Sequence, residues 1–260
     1  VVYNGKMAYY SNRKRIKRLF DPSSSEPFSL SRSKIDLFIE CPRCFYLDRR
    51  LGISRPSIPT FTLNNAVDEL LKKEFDLLRK NGEAHELMKK YHIDAVPLKH
   101  ELLTKWRDDY PKSWEGAVAL DEETNFLVTG IIDDIWQNRN GDLLIVDYKA
   151  TSTKNEISLE DRWKQGYKRQ IEVYQWIFRK LGFRVSDTGY FVFANASKNR
   201  PKFDGKLEFV LTIVSHKGDD SWIKPTLRKI RRTLSSDRLP DCGAGCEYCA
   251  FHQKIEDITL

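Results

Sequence analysis

No stretch of the 260 residues is apolar over the length that a bilayer-spanning helix needs, and no secretory-leader pattern opens the chain. These absences exclude an ordinary transmembrane helix and lead to the expectation of a cytoplasmic protein with no membrane partner. No internal repeat is evident, which argues against solenoid and propeller architectures. Cysteine is scarce: there are five, grouped as Cys41 and Cys44 near one end and Cys242, Cys246 and Cys249 near the other. Without a secretory signal, that grouping points to a metal or cluster site more than to disulfides. Acidic residues are outnumbered 37 to 44, and the resulting net charge of +7 favours a polyanionic partner.

The excess positive charge is concentrated in two clusters. Arg13-Lys14-Arg15-Ile16-Lys17-Arg18 lies in an N-terminal segment that continues into a polar Asp21-Pro22-Ser23-Ser24-Ser25 stretch, and Arg228-Lys229-Ile230-Arg231-Arg232 lies near the C-terminus. Each cluster alone could be a solvated face. A hydrophobic content of 40% with 31% charged residues fits a globular chain large enough for one sizeable core.

Charge also interrupts an otherwise apolar stretch from Gly130 to Ser152, G-I-I-D-D-I-W-Q-N-R-N-G-D-L-L-I-V-D-Y-K-A-T-S. Phe126 to Gln137 and Asp142 to Ala150 have the pattern of two strands joined by an Asn/Arg/Gly turn. Side chains alternate along a strand, so Asp147 and Lys149 share one face and Tyr148 takes the other. The neighbouring strand brings Asp133 or Asp134 alongside. Carboxylates and an ammonium on a buried sheet need compensation, which a divalent cation supplies. A plain Asp147–Lys149 salt bridge is the alternative.

Helical spacing predicts a helix capped by Ser31 or Ser33 and interrupted at Pro42, and another from about Leu63 to Lys80 with Val67, Leu70, Leu71, Phe75 and Leu78 as its apolar stripe. Asp68 sits at the edge of that stripe. His85 to Asp109 suggests further helix, broken near Pro97. A long helix from about Leu159 to Leu181 carries Trp163, Tyr167, Gln170, Ile171, Tyr174 and Phe178 on one face. Gln170 stands out there, since a buried carboxamide needs partners that a ligand, a site water or neighbouring protein can supply. Strands Gly189–Ala194 and Leu207–Ser215 and an amphipathic helix through Trp222, Leu227, Ile230 and Leu234 complete an α/β pattern. The expected division is a basic arm over 1–27, a helical part over 28–114, a core over 115–236 and a cysteine-rich segment over 237–260 that packs back on the N-terminal helix.

Asp133 after Gly130-Ile131-Ile132, then Asp147-Tyr148-Lys149, then Gln170-x-x-x-Tyr174, form an ordered set that resembles the PD-(D/E)XK nucleases of the RecB-like branch, which includes CRISPR-associated and AddB-type nucleases. The resemblance implies a restriction-endonuclease-like core, a central mixed sheet flanked by helices, with an N-terminal helical elaboration. It implies a metal-dependent DNA nuclease, acting on single strands or ends, with helicase or repair/adaptation proteins as partners. Asp133 and Asp147 would bind Mg²⁺ or Mn²⁺, with the Tyr148 carbonyl as a further ligand, and Lys149 would orient the attacking water; Gln170 and Tyr174 complete the motif. Asp134 is the rival of Asp133, and motif register favours Asp133. Where many relatives have histidine on the upstream helix this chain has Asp68, a hard oxygen donor, with Glu69 as its neighbour. Iron–sulfur members use one cysteine before the core and three after it. Cys41 with Cys242, Cys246 and Cys249 would form such a set for a [4Fe–4S] cluster. Cys44 can substitute for Cys41, and His252 can join if the metal is Zn²⁺. A binding or scaffold module with weak or no catalysis is the other reading.

Overall fold

The computed structural model describes residues 19–57, 59, 61–108 and 116–259, so the first basic cluster and Asp109 fall outside it. Its strands are β1 (Phe28–Ser31), β2 (Ala95–Pro97), β3 (Ala117–Asp121), β4 (Phe126–Gly130), β5 (Asp134–Asn138), β6 (Leu143–Thr151), β7 (Thr188–Ala196) and β8 (Phe209–Lys217). Its helices are α1 (Arg32–Glu40), α2 (Pro42–Arg50), α3 (Thr62–Asn81), α4 (Glu86–Lys90), α5 (Leu103–Asp108), α6 (Gln165–Lys180), α7 (Ile223–Ser235) and α8 (Glu247–Thr259). Among the described residues no helix is long and apolar enough to cross a membrane.

Two compact units interleave along the sequence. One draws on Val1–Ile58, Leu120–Val128 and Ser221–Leu260, the other on Pro59–Ala119 and Thr129–Asp220. This grouping places α1 and α2 with α7 and α8, and α3 with the larger sheet.

In the first unit, Pro42 separates α1 from α2. Proline cannot continue the hydrogen-bond ladder of a preceding helix but suits a first helical position, and Cys41 at the junction has an extended backbone and caps α2. Strand order in the smaller sheet is β1-β4-β3. Phe20, Phe28 and Phe126 pack edge to face, with centroids 5.3 to 6.4 Å apart. Ile223, Leu227, Ile230 and Leu234 bury one stripe of α7. Its basic face is partly engaged within this unit: Arg228 donates to Glu123 at 2.5 and 2.9 Å, and Arg231 lies 4.9 Å over the Phe20 ring.

The second unit is built on a five-stranded sheet of order β2-β5-β6-β7-β8. Gly141, at φ +83°, closes the β5–β6 hairpin, in which Asp134 faces Val146. β6 runs parallel to β7, with α6 as the crossover, and β7–β8 is antiparallel. Leu143 to Tyr148 are buried without interruption, as expected of a strand covered on both faces. Leu144, Val146 and Tyr148 face α3, where Leu71 and Phe75 join them in one core. Phe75 is fully buried and stacks 5.5 Å from Trp136 and 4.8 Å from His85. Gly82 ends α3 in the left-handed conformation that glycine adopts readily.

Four expectations are corrected. Phe126 to Gln137 is not one strand: it breaks at Ile131–Asp133, and β4 and β5 belong to different sheets. His85 to Asp108 holds two short helices with an edge strand between them; Pro97, which lacks an N–H, is tolerated on that edge. The helix expected from Leu159 begins at Gln165, after a 3-10 turn at Arg162–Lys164, because Ser158 ties up the preceding loop. Its hydroxyl accepts from Glu160 N–H at 3.1 Å and its carbonyl from Lys164 Nζ at 2.6 Å. Leu70, assigned to the α3 stripe, is 64% exposed.

Phe75→Ala should lower the stability of this unit by ~3–5 kcal/mol, the usual cost of emptying a buried aromatic site. The readout is the urea midpoint, and a loss below about 1 kcal/mol would show that the seat of α3 does not rest on this stack.

Candidate active site

The break before β5 sets up the site. Ile131 to Asp133 leave the strand geometry, and Ile132 is buried and donates its N–H to the Trp106 carbonyl at 3.2 Å. The Tyr174 hydroxyl of α6 donates to the Ile131 carbonyl at 2.7 Å. A Cβ on Gly130 would lie 2.4 Å from the Tyr174 ring, so only glycine lets the ring close against this turn. The turn presents Asp133, whose Oδ2 accepts the Tyr148 backbone N–H at 2.8 Å.

Asp147 is fully buried on the opposite face of β6 from Tyr148. Gln170 Nε2 donates to Asp147 Oδ1 at 2.5 Å and lies 3.3 Å from the Tyr174 hydroxyl. Lys149 Nζ pairs with Asp147 Oδ2, which is buried. Lys149 also sits 4.7 Å over the Tyr167 ring. Burial, reinforced by Asp133 and opposed by Lys149, pushes the Asp147 carboxyl up to about 7. Burial works against the Lys149 charge, but the Asp147 and Asp133 carboxylates outweigh it and hold the ammonium above its ordinary value.

Asp68 of α3 faces the same place. Burial and then repulsion from Asp133 raise its carboxyl, against Lys72 and Lys149. Lys72 Nζ is 2.8 Å from Asp68 and 4.0 Å from Asp133. Asn64, Asn65, Asp68, Asp133, Lys149 and Tyr167 line a cleft of about 330 Å³. Glu69 points elsewhere and pairs with Lys73 at 2.6 Å.

Asp134 has a different environment. It is fully buried, ion-paired with Arg79, and accepts from the Tyr148 hydroxyl at 2.8 Å. Arg79 also pairs with Asp76, which Arg107 clamps at 2.8 and 2.9 Å. Sequence reasoning missed this network, although Arg79 follows Phe75 by four residues and so continues the buried stripe of α3. It also missed Lys72, four residues after Asp68 and hence on the same face of the helix.

The sequence profile of the PD-(D/E)XK nuclease superfamily matches residues 29–253. The chain belongs to that superfamily. Nucleases of this superfamily generally hydrolyse phosphodiester bonds with Mg²⁺ or Mn²⁺, and the mixed sheet flanked by helices is consistent with their restriction-endonuclease-like core. No curated protein matches this PD-(D/E)XK chain. A solved structure titled "Crystal structure of SSO0001" aligns with a TM-score of 0.43 and 15% identity, over 96% of this chain and 95% of that one.

The donor set in the cleft suits a hard divalent cation. Two carboxylates, Asp68 and Asp133, repel one another at the cleft, and behind them the buried Asp147 is held by Gln170 and paired with Lys149.

The first unit holds a separate group. The thiol sulfurs of Cys41, Cys44, Cys246 and Cys249 all lie within 4.8 Å of one another, a set that can hold zinc or an iron–sulfur cluster. The structure differs from the expected set at one position: Cys44 is in the group, whereas Cys242 is exposed at its rim against Cys249. Both members of the Cys41/Cys44 pair are present because they are three residues apart across the start of α2 and so point the same way. Burial works against ionisation of Cys41, but the N–H groups of Gly243 and Cys44 bring its thiol down to about 6. His252 lies outside the group and pairs with Glu256 at 3.4 Å.

A carboxyl near 7 in the folded protein, against 3.8 ordinarily, contributes stability while protonated at low pH and loses it as pH rises through about 7. In chelator, Asp147→Asn should therefore flatten the fall in stability between about pH 4 and 7. Denaturation midpoints that run parallel for parent and variant across that range would contradict this assignment.

Proposed function

We propose that this chain is a metal-dependent DNA nuclease of the RecB-like branch, acting on single strands or ends in the cytoplasm, alongside helicase or repair/adaptation proteins. The observation that supports it best is the convergence of Asp68, Asp133 and Lys149 on one open cleft with Asp147 directly behind Lys149. Asp133, Asp147, Asp68 and the Tyr148 carbonyl would hold Mg²⁺ or Mn²⁺. Bound there, such an ion supplies Lewis acidity, activating water and offsetting charge on the phosphate. Lys149 orients the attacking water and stabilises the negative charge that grows on the phosphoryl oxygens. Gln170 does not reach the cleft; it fixes the Asp147 carboxylate, and Tyr174 holds the turn that carries Asp133. Trp163, 63% exposed and edge-on to Tyr167, offers a face for a base to stack on. The Cys41, Cys44, Cys246 and Cys249 group serves as a resident iron–sulfur or zinc site, separate from the chemistry.

Lys149→Ala should lower the cleavage rate by about 100-fold or more while DNA affinity stays close to that of the parent. Cleavage at the parental rate would defeat the mechanism.

One observation favours a second reading, a DNA-binding module without catalysis: the Lys72 ammonium already offsets part of the charge of Asp68 and Asp133. Cleavage assays in Mg²⁺ and in Mn²⁺, run beside Asp147→Ala, separate the two. Metal-dependent cutting that the substitution removes supports the nuclease; binding with no cutting in either metal selects the module.

A further inference from the structure

We propose that Cys41, Cys44, Cys246 and Cys249 bind one structural zinc ion, in place of the iron–sulfur cluster that resemblance to iron–sulfur nucleases implies. Two pairs of identical spacing supply the ligands, C-P-R-C over 41–44 and C-E-Y-C over 246–249, a two-plus-two set unlike the one-plus-three of the cluster-bearing nucleases. Three sulfur separations match those around a single small ion, and all six lie within 4.8 Å. Cys41 and Cys249 lie 3.6 Å apart, Cys44 and Cys246 3.6 Å, and Cys44 and Cys249 3.7 Å. A tetrahedron with metal–sulfur bonds of about 2.3 Å has edges of about 3.8 Å. In a cubane each thiolate ends on a different iron, and the inorganic core holds the four well apart. All four positions are filled by protein sulfur, which leaves no open site for substrate and marks a structural centre.

The surroundings are those of bound thiolates. Cys41 Sγ accepts the N–H of Cys44 at 3.4 Å and of Gly243 at 3.2 Å. The second contact needs glycine, since a Cβ on Gly243 would lie 1.9 Å from the Glu40 carbonyl oxygen. Arg55 donates to Cys246 Sγ at 3.5 Å, places its guanidinium 4.6 Å over the Tyr248 ring, and so offsets the negative charge that four thiolates leave around one dication. Each pair also straddles the start of a helix, α2 for the first and α8 for the second, where the backbone dipole favours thiolate. Zinc here ties the α1–α2 junction to α8 within the first unit.

Elemental analysis of the full chain, purified without oxygen, with acid-labile sulfide and the visible spectrum measured on the same sample, tests this. One zinc per chain, no sulfide and no visible band are expected. Four irons with sulfide and a brown colour, one iron alone, or no metal would each overturn the proposal. Cys44→Ser should weaken zinc retention against a chelator by more than about 100-fold, beyond the loss that a missing supporting hydrogen bond produces, whereas Cys242→Ser should retain zinc as the parent does. If Cys44→Ser does not fold, the cobalt-substituted parent and Cys242→Ser decide the matter. Matching tetrahedral all-thiolate spectra support the site, and a changed spectrum or lost metal in Cys242→Ser overturns it.

Discussion

Acidic side chains taken out of water on a sheet covered from both sides are the constraint to which the larger unit is built. Asp147 and Asp134 are both fully buried, and an isolated carboxylate in such a place is too costly to persist. Each has its own compensation. Asp134 faces α3, where Arg79 and the Tyr148 hydroxyl meet it and Asp76 and Arg107 extend the network. Asp147 faces α6, where Gln170 meets one oxygen, while Lys149 of the same strand pairs with the other. The first set is closed. The second relies on Lys149, which also lines the cleft.

Two helices bring the reacting groups together for different reasons. α3 is held by its apolar stripe on the core, with Phe75 against Trp136 and Tyr148, and the start of the same helix delivers Asp68. The crossover helix α6 is held because β6 and β7 run parallel and need such a connection; one turn of it supplies both Gln170 and Tyr174. Because Gly130 has no side chain, the Tyr174 ring reaches the turn that carries Asp133. The cleft is thus placed by packing that has no chemical role of its own.

The smaller unit has a different organising element. Segments remote in sequence meet in it: Arg43 donates to the Pro240 carbonyl at 3.0 Å, and the Tyr46 hydroxyl to the Ser236 carbonyl at 2.9 Å. Four sulfurs sit at that meeting point. Cross-linking segments some two hundred residues apart restricts the unfolded chain, so a metal held there stabilises this unit.

By itself the sequence determined the order of strands and helices around the motif, the membership of Asp133, Asp147, Lys149, Gln170 and Tyr174 in one ordered set, and the presence of cysteine groups at both ends. These were legible because they depend on local periodicity and short spacings. Tertiary structure decided what those signals could not. A continuous apolar run hid the break at Ile131–Asp133, because strand propensity does not show where a chain leaves one sheet for another. Which of two adjacent aspartates meets Arg79, and which of five thiols close around one point, depend on contacts between residues remote in sequence. Only the folded backbone sets those distances.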